Sequence, residues 1–443
     1  MSCLNTFLRC LYSLIFTFSI PALLLRLWWK GRKNPGYRER WAERFGFFKP
    51  PAQSGGLWVH AVSLGETMAA VPLIREFQKR FPALPITITS TTPTGYKTAK
   101  NIFKDTVLQA YFPYDLAWCI KQFLKRVRPT ILIVMEKELW LNCFWVCYQE
   151  EIPIFIANGA LSLHSLKGYQ WFSRIKQQIL QCITFVFAQS ELDATRFLAL
   201  GLDPKHLIVA GNVKFDVALK EGVEITGKQY RETFGNRPVW IAASTHVGEE
   251  EPVLLAFKQI LEQQPDALLI LVPRHPERFD TVAALLAQHS YTFVKRSTGV
   301  PVARETQILL GDTMGELALF YAASDVAFVG GSLVPVGGHN ALEAAALSVP
   351  VIMGPYVDNC VEITKRLADA GALIQVSDSD ALAKAVLHWF LKPADRQQAG
   401  ACAKKVVKKN QGAVKKIMDV ITLSGVRGRG WRVAPGEGRD PGN

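Results

Sequence analysis

Short runs of β-branched and aromatic residues recur along this chain at helix-length intervals, and that spacing limits its fold more than any other feature. In the first half the runs are Leu57-Trp58-Val59-His60-Ala61, Ile86-Thr87-Ile88-Thr89, Ile131-Leu132-Ile133-Val134, Ile154-Phe155-Ile156-Ala157, Phe185-Val186-Phe187-Ala188 and Leu207-Ile208-Val209-Ala210. Strands this apolar are buried on both faces, which is the condition of a parallel sheet covered by helices. The pattern pauses over polar residues 219–237, with Gly222, Gly227, Gly235 and Asn236, which read as an interdomain connection. A second series then runs through Val239-Trp240-Ile241-Ala242, Leu268-Leu269-Ile270-Leu271-Val272, Ile308-Leu309-Leu310, Val326-Ala327-Phe328-Val329, Val351-Ile352-Met353 and Leu373-Ile374-Gln375-Val376. The expected class is α/β, with two Rossmann-like domains facing a cleft, because ligands of open parallel sheets bind beyond the carboxyl ends of the strands.

Ahead of the first series, residues 10–25 carry no charge; as a helix they cover about 24 Å against a hydrocarbon core of about 30 Å. Snorkelling of Arg26 adds Leu27, Trp28 and Trp29, and Lys30, Arg32, Lys33, Arg38 and Arg40 follow. An uncleaved membrane anchor with the bulk of the chain on the cytoplasmic side is expected, and an interfacial helix is the alternative. No small residues follow the apolar run to allow signal cleavage. Basic residues number 51 against 38 acidic, a formal net charge of +13, which favours an anionic partner. Residues 401–418 read as a basic amphipathic helix, either a solvated face or a contact with an anionic membrane surface. Its lysines have no interleaved aromatics, so nucleic acid is not expected. The eight cysteines lie in apolar stretches without a CxxC pair, as reduced core thiols do. The expected boundaries are an anchor over 1–34, a first domain over 35–218, a linker over 219–237, a second domain over 238–420 and a disordered Gly/Arg-rich tail over 421–443.

Candidate chemistry gathers at strand ends. Glu66, in His60-Ala61-Val62-Ser63-Leu64-Gly65-Glu66, is either a partner of a helix dipole or a carboxylate placed to accept a proton from an alcohol. Glu136 follows the strand at 131–134, either in a solvated loop beside Lys137 or organising a reaction centre. Lys214 is placed either in solvent or where it meets a developing negative charge. In the second half Ser244 or Thr245 is a plausible helix cap, and Arg274 in Pro273-Arg274-His275-Pro276 has the planar fork that clamps phosphate. Gly311-Asp312-Thr313-Met314-Gly315-Glu316 turns into a helix. Gly330-Gly331-Ser332-Leu333-Val334-Pro335-Val336-Gly337-Gly338-His339-Asn340-Ala341-Leu342-Glu343 is the strongest signal. Its glycines allow close approach, a helix opening near His339 attracts phosphate, and Glu343 can accept from ribose hydroxyls. No Walker lysine or GxGxxG spacing is present, so ATP hydrolysis and dinucleotide redox chemistry lose support.

Taken in order, these segments, with Thr91-Thr92-Pro93-Thr94-Gly95 and Tyr111-Phe112-Pro113-Tyr114-Asp115, resemble the 3-deoxy-D-manno-octulosonic acid (Kdo) transferase family over roughly residues 5–420. The resemblance implies a GT-B glycosyltransferase fold and transfer of Kdo from CMP-Kdo to the lipid A precursor lipid IVA, with inversion, without a metal or other cofactor, on the cytoplasmic face of the inner membrane. It implies Glu66 as the base, with Glu136 and Lys214 supporting the transition state. It also implies a CMP site lined by Pro273, Arg274, Met314, Gly315, Glu316, Asn340, Ala341, Leu342 and Glu343. Where the family has Asn-Ala-Arg-Leu-Ser, this chain reads Asn158-Gly159-Ala160-Leu161-Ser162 and lacks the arginine. A transferase using a uridine nucleotide, and a membrane-anchored nucleotide-binding or scaffold protein without catalysis, are the other readings; competition of CMP against UDP separates the first pair.

Overall fold

The computed structural model describes residues 3–32, 34–162, 165–166, 173–217 and 219–423. The chain divides into two compact units, residues 1–216 with 411–443, and 217–410. The tail expected beyond 423 lies outside the described residues.

The first unit opens with helix α1 (Cys3–Lys30), followed by a sheet built from β1 (Leu57–His60), β2 (Ile86–Ser90), β3 (Leu108–Tyr111), β4 (Ile131–Met135), β5 (Ile154–Gly159), β6 (Phe185–Ala188) and β7 (Leu207–Val209). Between the strands run α2 (Leu64–Arg80), α3 (Pro93–Phe103), α4 (Ala117–Val127), α5 (Leu141–Gln149), α6 (Ser173–Leu180) and α7 (Glu191–Leu200). The strand order is β3-β2-β1-β4-β5-β6-β7 with parallel pairing throughout. The order reverses between β1 and β4, so their carboxyl ends flank the crevice where such sheets take ligands. Helix starts are written in the sequence. Ser63, Thr92 and Ser190 each accept a hydrogen bond from the backbone N–H three residues on, at the openings of α2, α3 and α7.

The second unit begins with α8 (Val223–Glu232) and holds β8 (Val239–Thr245), β9 (Leu268–Pro273), β10 (Phe293–Lys295), β11 (Ile308–Leu310), β12 (Val326–Val329), β13 (Val351–Met353) and β14 (Leu373–Gln375). Its helices are α9 (Glu250–Gln263), α10 (Phe279–Gln288), α11 (Leu317–Ala322), α12 (Leu342–Ala346), α13 (Val361–Asp369), α14 (Ser379–Leu391) and α15 (Pro393–Asn410). The order β10-β11-β9-β8-β12-β13-β14 is again parallel, with its reversal between β8 and β12, but differs from the first sheet in that β11 is inserted between β9 and the edge strand β10. Central strands are buried end to end, from Leu57–His60 to Val351–Met353.

Three segments differ from expectation. Residues 219–237 are not a plain connection, because they contain α8, whose Gly227 packs so closely on Ala322 of α11 that a Cβ would collide. The second unit therefore starts at residue 217. The basic segment 401–418 is two helices, since the chain breaks after α15 at Gly412 (φ +103°) and restarts as α16 (Ala413–Leu423) in the first unit. Asp216 accepts from the N–H groups of Gly412 and Val414, both at 2.6 Å, and so ties the returning chain down. Val414, Ile417, Met418 and Ile421 join the first unit's core, so the apolar face of this segment packs inward.

Helix α1 is long and apolar enough to cross a membrane. One face is docked on its own unit. The Arg9 guanidinium lies 4.3 Å from the Trp145 ring, Tyr12 donates to Asp115 at 2.9 Å, and Asn142 donates to Ser13 at 3.0 Å. Residues 9, 12, 13 and 16 share that face by helical spacing, and Phe16 meets Tyr114 at 6.0 Å between ring centroids. The remaining surface leaves Phe7, Leu14, Ile15, Phe18, Leu25 and Trp29 exposed.

Candidate active site

Glu66 is the third residue of α2, whose cap is Ser63, and the two form a variant of the capping box just beyond β1, in which the carboxylate reaches one residue past the cap to Val62 N–H. The Glu66 carboxylate accepts from Val62 N–H at 2.8 Å and from the Ser63 hydroxyl at 3.4 Å, while Glu66 N–H donates back to Ser63 at 3.4 Å. Glu66 is only 7% exposed. Burial pushes its pKa up to about 7; the Val62 N–H opposes this, and the charges of Glu136 and Glu138 add to it. A carboxylate half ionised near neutrality is matched to taking a proton from a hydroxyl.

The neighbouring motif explains how the capping loop is held. The Val62 carbonyl accepts from the N–H of Thr91 and Thr92 at 3.1 and 3.2 Å. Gly95, in the first turn of α3, sits so near Ser63 that a Cβ would stand 3.2 Å from its carbonyl carbon. The segment 91–95 therefore buttresses the residues that aim Glu66.

Glu136 follows β4, across the switch point from Glu66. Its φ is +61°, a conformation that costs a non-glycine residue about 1–3 kcal/mol and persists only where the surroundings dictate it. Its N–H donates to the Ala157 carbonyl at 2.9 Å, and its carboxylate stands 3.8 Å from the Lys214 ammonium. The partner is Lys214 and not the adjacent Lys137. Lys214 is itself placed by two asparagines. Asn212 Oδ1 accepts from Lys214 N–H, and buried Asn158, at φ +58°, accepts from Val213 N–H, both at 3.0 Å. Sequence reasoning missed Asn158 as a positioning residue; an asparagine before a glycine at a strand end was the available sign. Glu136 links the other two first-unit candidates, acting electrostatically on Glu66 and pairing with Lys214.

In the second unit the amides of the glycine-rich loop are already occupied. Glu249, fully buried, accepts from Gly331 N–H at 2.6 Å, Ser332 N–H at 3.0 Å, Leu333 N–H at 2.9 Å and His246 N–H at 2.9 Å. Glu250 beside it receives both guanidinium arms of Arg278, at 2.6 and 2.8 Å, and the Thr245 hydroxyl at 2.8 Å. Neither acid was foreseen, because Glu249-Glu250-Glu251 has the appearance of a solvated first turn. The helix near His339 opens later than expected: α12 begins at Leu342, and Asn340 Oδ1 accepts from Leu342 N–H at 3.0 Å.

The remaining candidates line the carboxyl ends of the second sheet. Pro273 ends β9 and is buried, whereas Arg274 beside it is exposed and its N–H donates to the Thr245 carbonyl at 3.0 Å. Met314 is exposed, and Gly315 (φ +83°) has open space where a Cβ would be. Glu316 is held by Arg296 at 2.8 Å and by the Thr313 hydroxyl, and Arg296 keeps it below the usual carboxylate range. Ala341 and Leu342 are buried. Burial pushes Glu343 up, with Arg274 acting against it. Among the described residues no group of three or more His, Cys, Asp or Glu side chains is arranged to hold a metal ion.

Comparison with known proteins agrees with this division. Residues 39–217 match the 3-deoxy-D-manno-octulosonic-acid transferase (kdotransferase) model, and residues 249–406 match glycosyl transferases group 1. A putative UDP-N-acetylglucosamine 2-epimerase from Listeria monocytogenes is 16% identical over 84% of this chain and 97% of its own, with a TM-score of 0.52, a likeness of fold alone. The fold is GT-B. The 3-deoxy-D-manno-octulosonic acid transferase of Bordetella pertussis is 33% identical over 93% of this chain and 98% of its own. Its counterpart from Haemophilus influenzae reaches 39% identity with the same two coverages. On identities of 33% and 39% over nearly the whole of both chains, this chain belongs to the 3-deoxy-D-manno-octulosonic acid transferase family.

Proposed function

We propose that this glycosyltransferase moves Kdo from CMP-Kdo onto the lipid A precursor lipid IVA in lipopolysaccharide assembly, by a single inverting displacement. Glu66 takes the proton of the acceptor hydroxyl as its oxygen bonds to the anomeric carbon of Kdo, and the bond from that carbon to the CMP phosphate breaks with the electron pair leaving on CMP. The observation that carries this reading is the buried Glu66, whose pKa of about 7 leaves a base available at neutral pH. Lys214, held by Glu136, offsets negative charge developing around the reacting oxygen. Pro273, Arg274, Met314, Gly315, Glu316, Asn340, Ala341, Leu342 and Glu343 form the CMP site of the second unit. Arg274 and the backbone meet the phosphate charge without a cation. The relatives' names support Kdo as the transferred sugar.

The protein works on the cytoplasmic face of the inner membrane, held there by α1. The tethers at Arg9, Tyr12 and Ser13 lie within or beside the apolar run, which favours a helix lying in the interface over one that crosses it. Its free face presents Phe7, Leu14, Ile15 and Phe18 to acyl chains, and Trp28 is flanked by the guanidinium groups of Arg32 and Arg38 at 5.2 and 5.0 Å.

The test is mass spectrometry of lipid IVA after incubation with the purified full chain and CMP-Kdo. A gain of one or more Kdo units, lost in Glu66→Gln with CMP affinity unchanged, supports the reading. Full turnover by Glu66→Gln overturns the base, and displacement of UDP but not CMP overturns the donor.

A further inference from the structure

Three histidines gather at the switch point of the second sheet. His246 follows β8, His275 follows β9, and His339 lies in the loop after β12. The His246 and His339 rings stack at 5.0 Å between centroids and 15° between planes, with their Nε2 atoms 2.8 Å apart. His275 meets His246 edge-on at 5.2 Å. Gly331 makes the room: a Cβ there would stand 3.0 Å from the His339 ring. Two imidazole nitrogens at hydrogen-bond distance cannot both carry a proton, so one ring donates through Nε2–H and the other accepts. The pair can hold one added proton, on Nδ1 of the donating ring, but not two.

We propose that His246, His339 and His275, grouped beside Arg274, form a subsite for the phosphodiester of the nucleotide-sugar donor, and that the histidine pair takes up one proton from solvent as the phosphodiester binds. The inference rests on the reading of this unit as the donor domain. In the free protein the cluster is held neutral. Burial comes first in depressing His246 and His339, the latter to about 3, and Arg274 and the neighbouring histidines push both the same way. The charges facing the pair are few. Glu249, which favours protonation of His246, has its carboxylate committed to four backbone N–H groups, and Arg278 is paired with Glu250. Glu277 lies 3.9 Å from His275, and Glu343 is buried and responds to Arg274. A phosphodiester bound at Arg274 offsets the repulsion that adds to burial in keeping the pair neutral, and its negative charge and acceptor oxygens compensate the buried imidazolium for the water it lacks. Affinity therefore rises as pH falls.

The probe is cytidine 5′-(methyl phosphate), a diester that does not itself titrate near neutrality. Calorimetry at pH 6 in buffers of different ionisation enthalpy should report uptake approaching one proton per ligand, falling towards zero by pH 8, so that Kd at pH 6 lies roughly tenfold below that at pH 8. Cytidine should show no uptake. His246→Gln should bind the diester at pH 8 and lose both the uptake and the slope. Binding of the diester by the unmodified protein without proton uptake overturns the inference and leaves the donor reading standing, as does equal uptake in His246→Gln or with cytidine. No binding at any pH overturns the donor reading and this inference with it.

Discussion

The two seven-stranded parallel sheets of this protein each reverse their strand order at a switch point, and they have opposite electrostatics at those switch points. In the first, the charges of Glu136 and Glu138 add to the effect of burial in raising the pKa of Glu66, and Lys214 is the cation paired with Glu136. In the second, Arg274 and three histidines face outward, while the acids Glu249 and Glu250 are turned inward onto backbone amides and Arg278. The reversal of strand order fixes where a crevice opens at each sheet; the residues after the strands set its charge. The first holds a buried carboxylate of raised pKa, and the second an arginine beside three histidines.

The largest expected effect breaks the first side of that comparison. Glu66→Gln keeps the hydrogen bonds of the capping box in outline and removes the base, so kcat should fall about 10²–10⁴-fold with CMP affinity unchanged. In the second unit Glu249→Gln removes a carboxylate that satisfies four N–H donors. About 2–4 kcal/mol of that unit's stability should go with it, read as a lowered calorimetric transition and weaker CMP binding. Arg274→Ala should weaken CMP binding roughly 10–100-fold, the worth of one charge-assisted contact, and leave the pH dependence of the first unit's base in place. A fall in kcat from Arg274→Ala with CMP affinity intact would break the division of labour between the sheets.

The central strands were legible because each is buried on both faces and reads as an unbroken apolar run. Two edge strands were not. β3 (Leu108–Tyr111) and β10 (Phe293–Lys295) each have one neighbour, carry Gln109 and Lys295, and so lack the run that marks a doubly covered strand. The places of Glu66, Glu136 and Lys214 after strands β1, β4 and β7 were legible too, because those strands read as apolar runs. Glu249 and Asn158 escaped for a common reason. A polar side chain that serves backbone groups brought close by the fold has no local signature, and its partners at 331–333 and 213 are far away in the chain. The same holds for Asp216, whose partners Gly412 and Val414 define where the chain re-enters the first unit.

The smallest expected effect tests the electrostatic claim most directly. If Glu66 is the base, it must be ionised to work, so kcat/KM should rise with pH through about 7 as the carboxyl loses its proton. Glu136 contributes to that high value as a like charge, and it also engages Lys214. Glu136→Gln removes the repulsion and releases the ammonium, and both changes favour ionised Glu66. The acid limb of the profile should therefore move to lower pH, by less than about one unit, whatever happens to the plateau rate. Burial is the larger cause of the raised pKa and is untouched, so the limb should stay above the usual carboxylate range. A limb that moves upward, or does not move while the plateau falls, would mean that Glu136 supports the reaction without setting the charge of Glu66, and the carboxylate cluster would lose its role as the counterpart of the histidine-rich end of the second sheet.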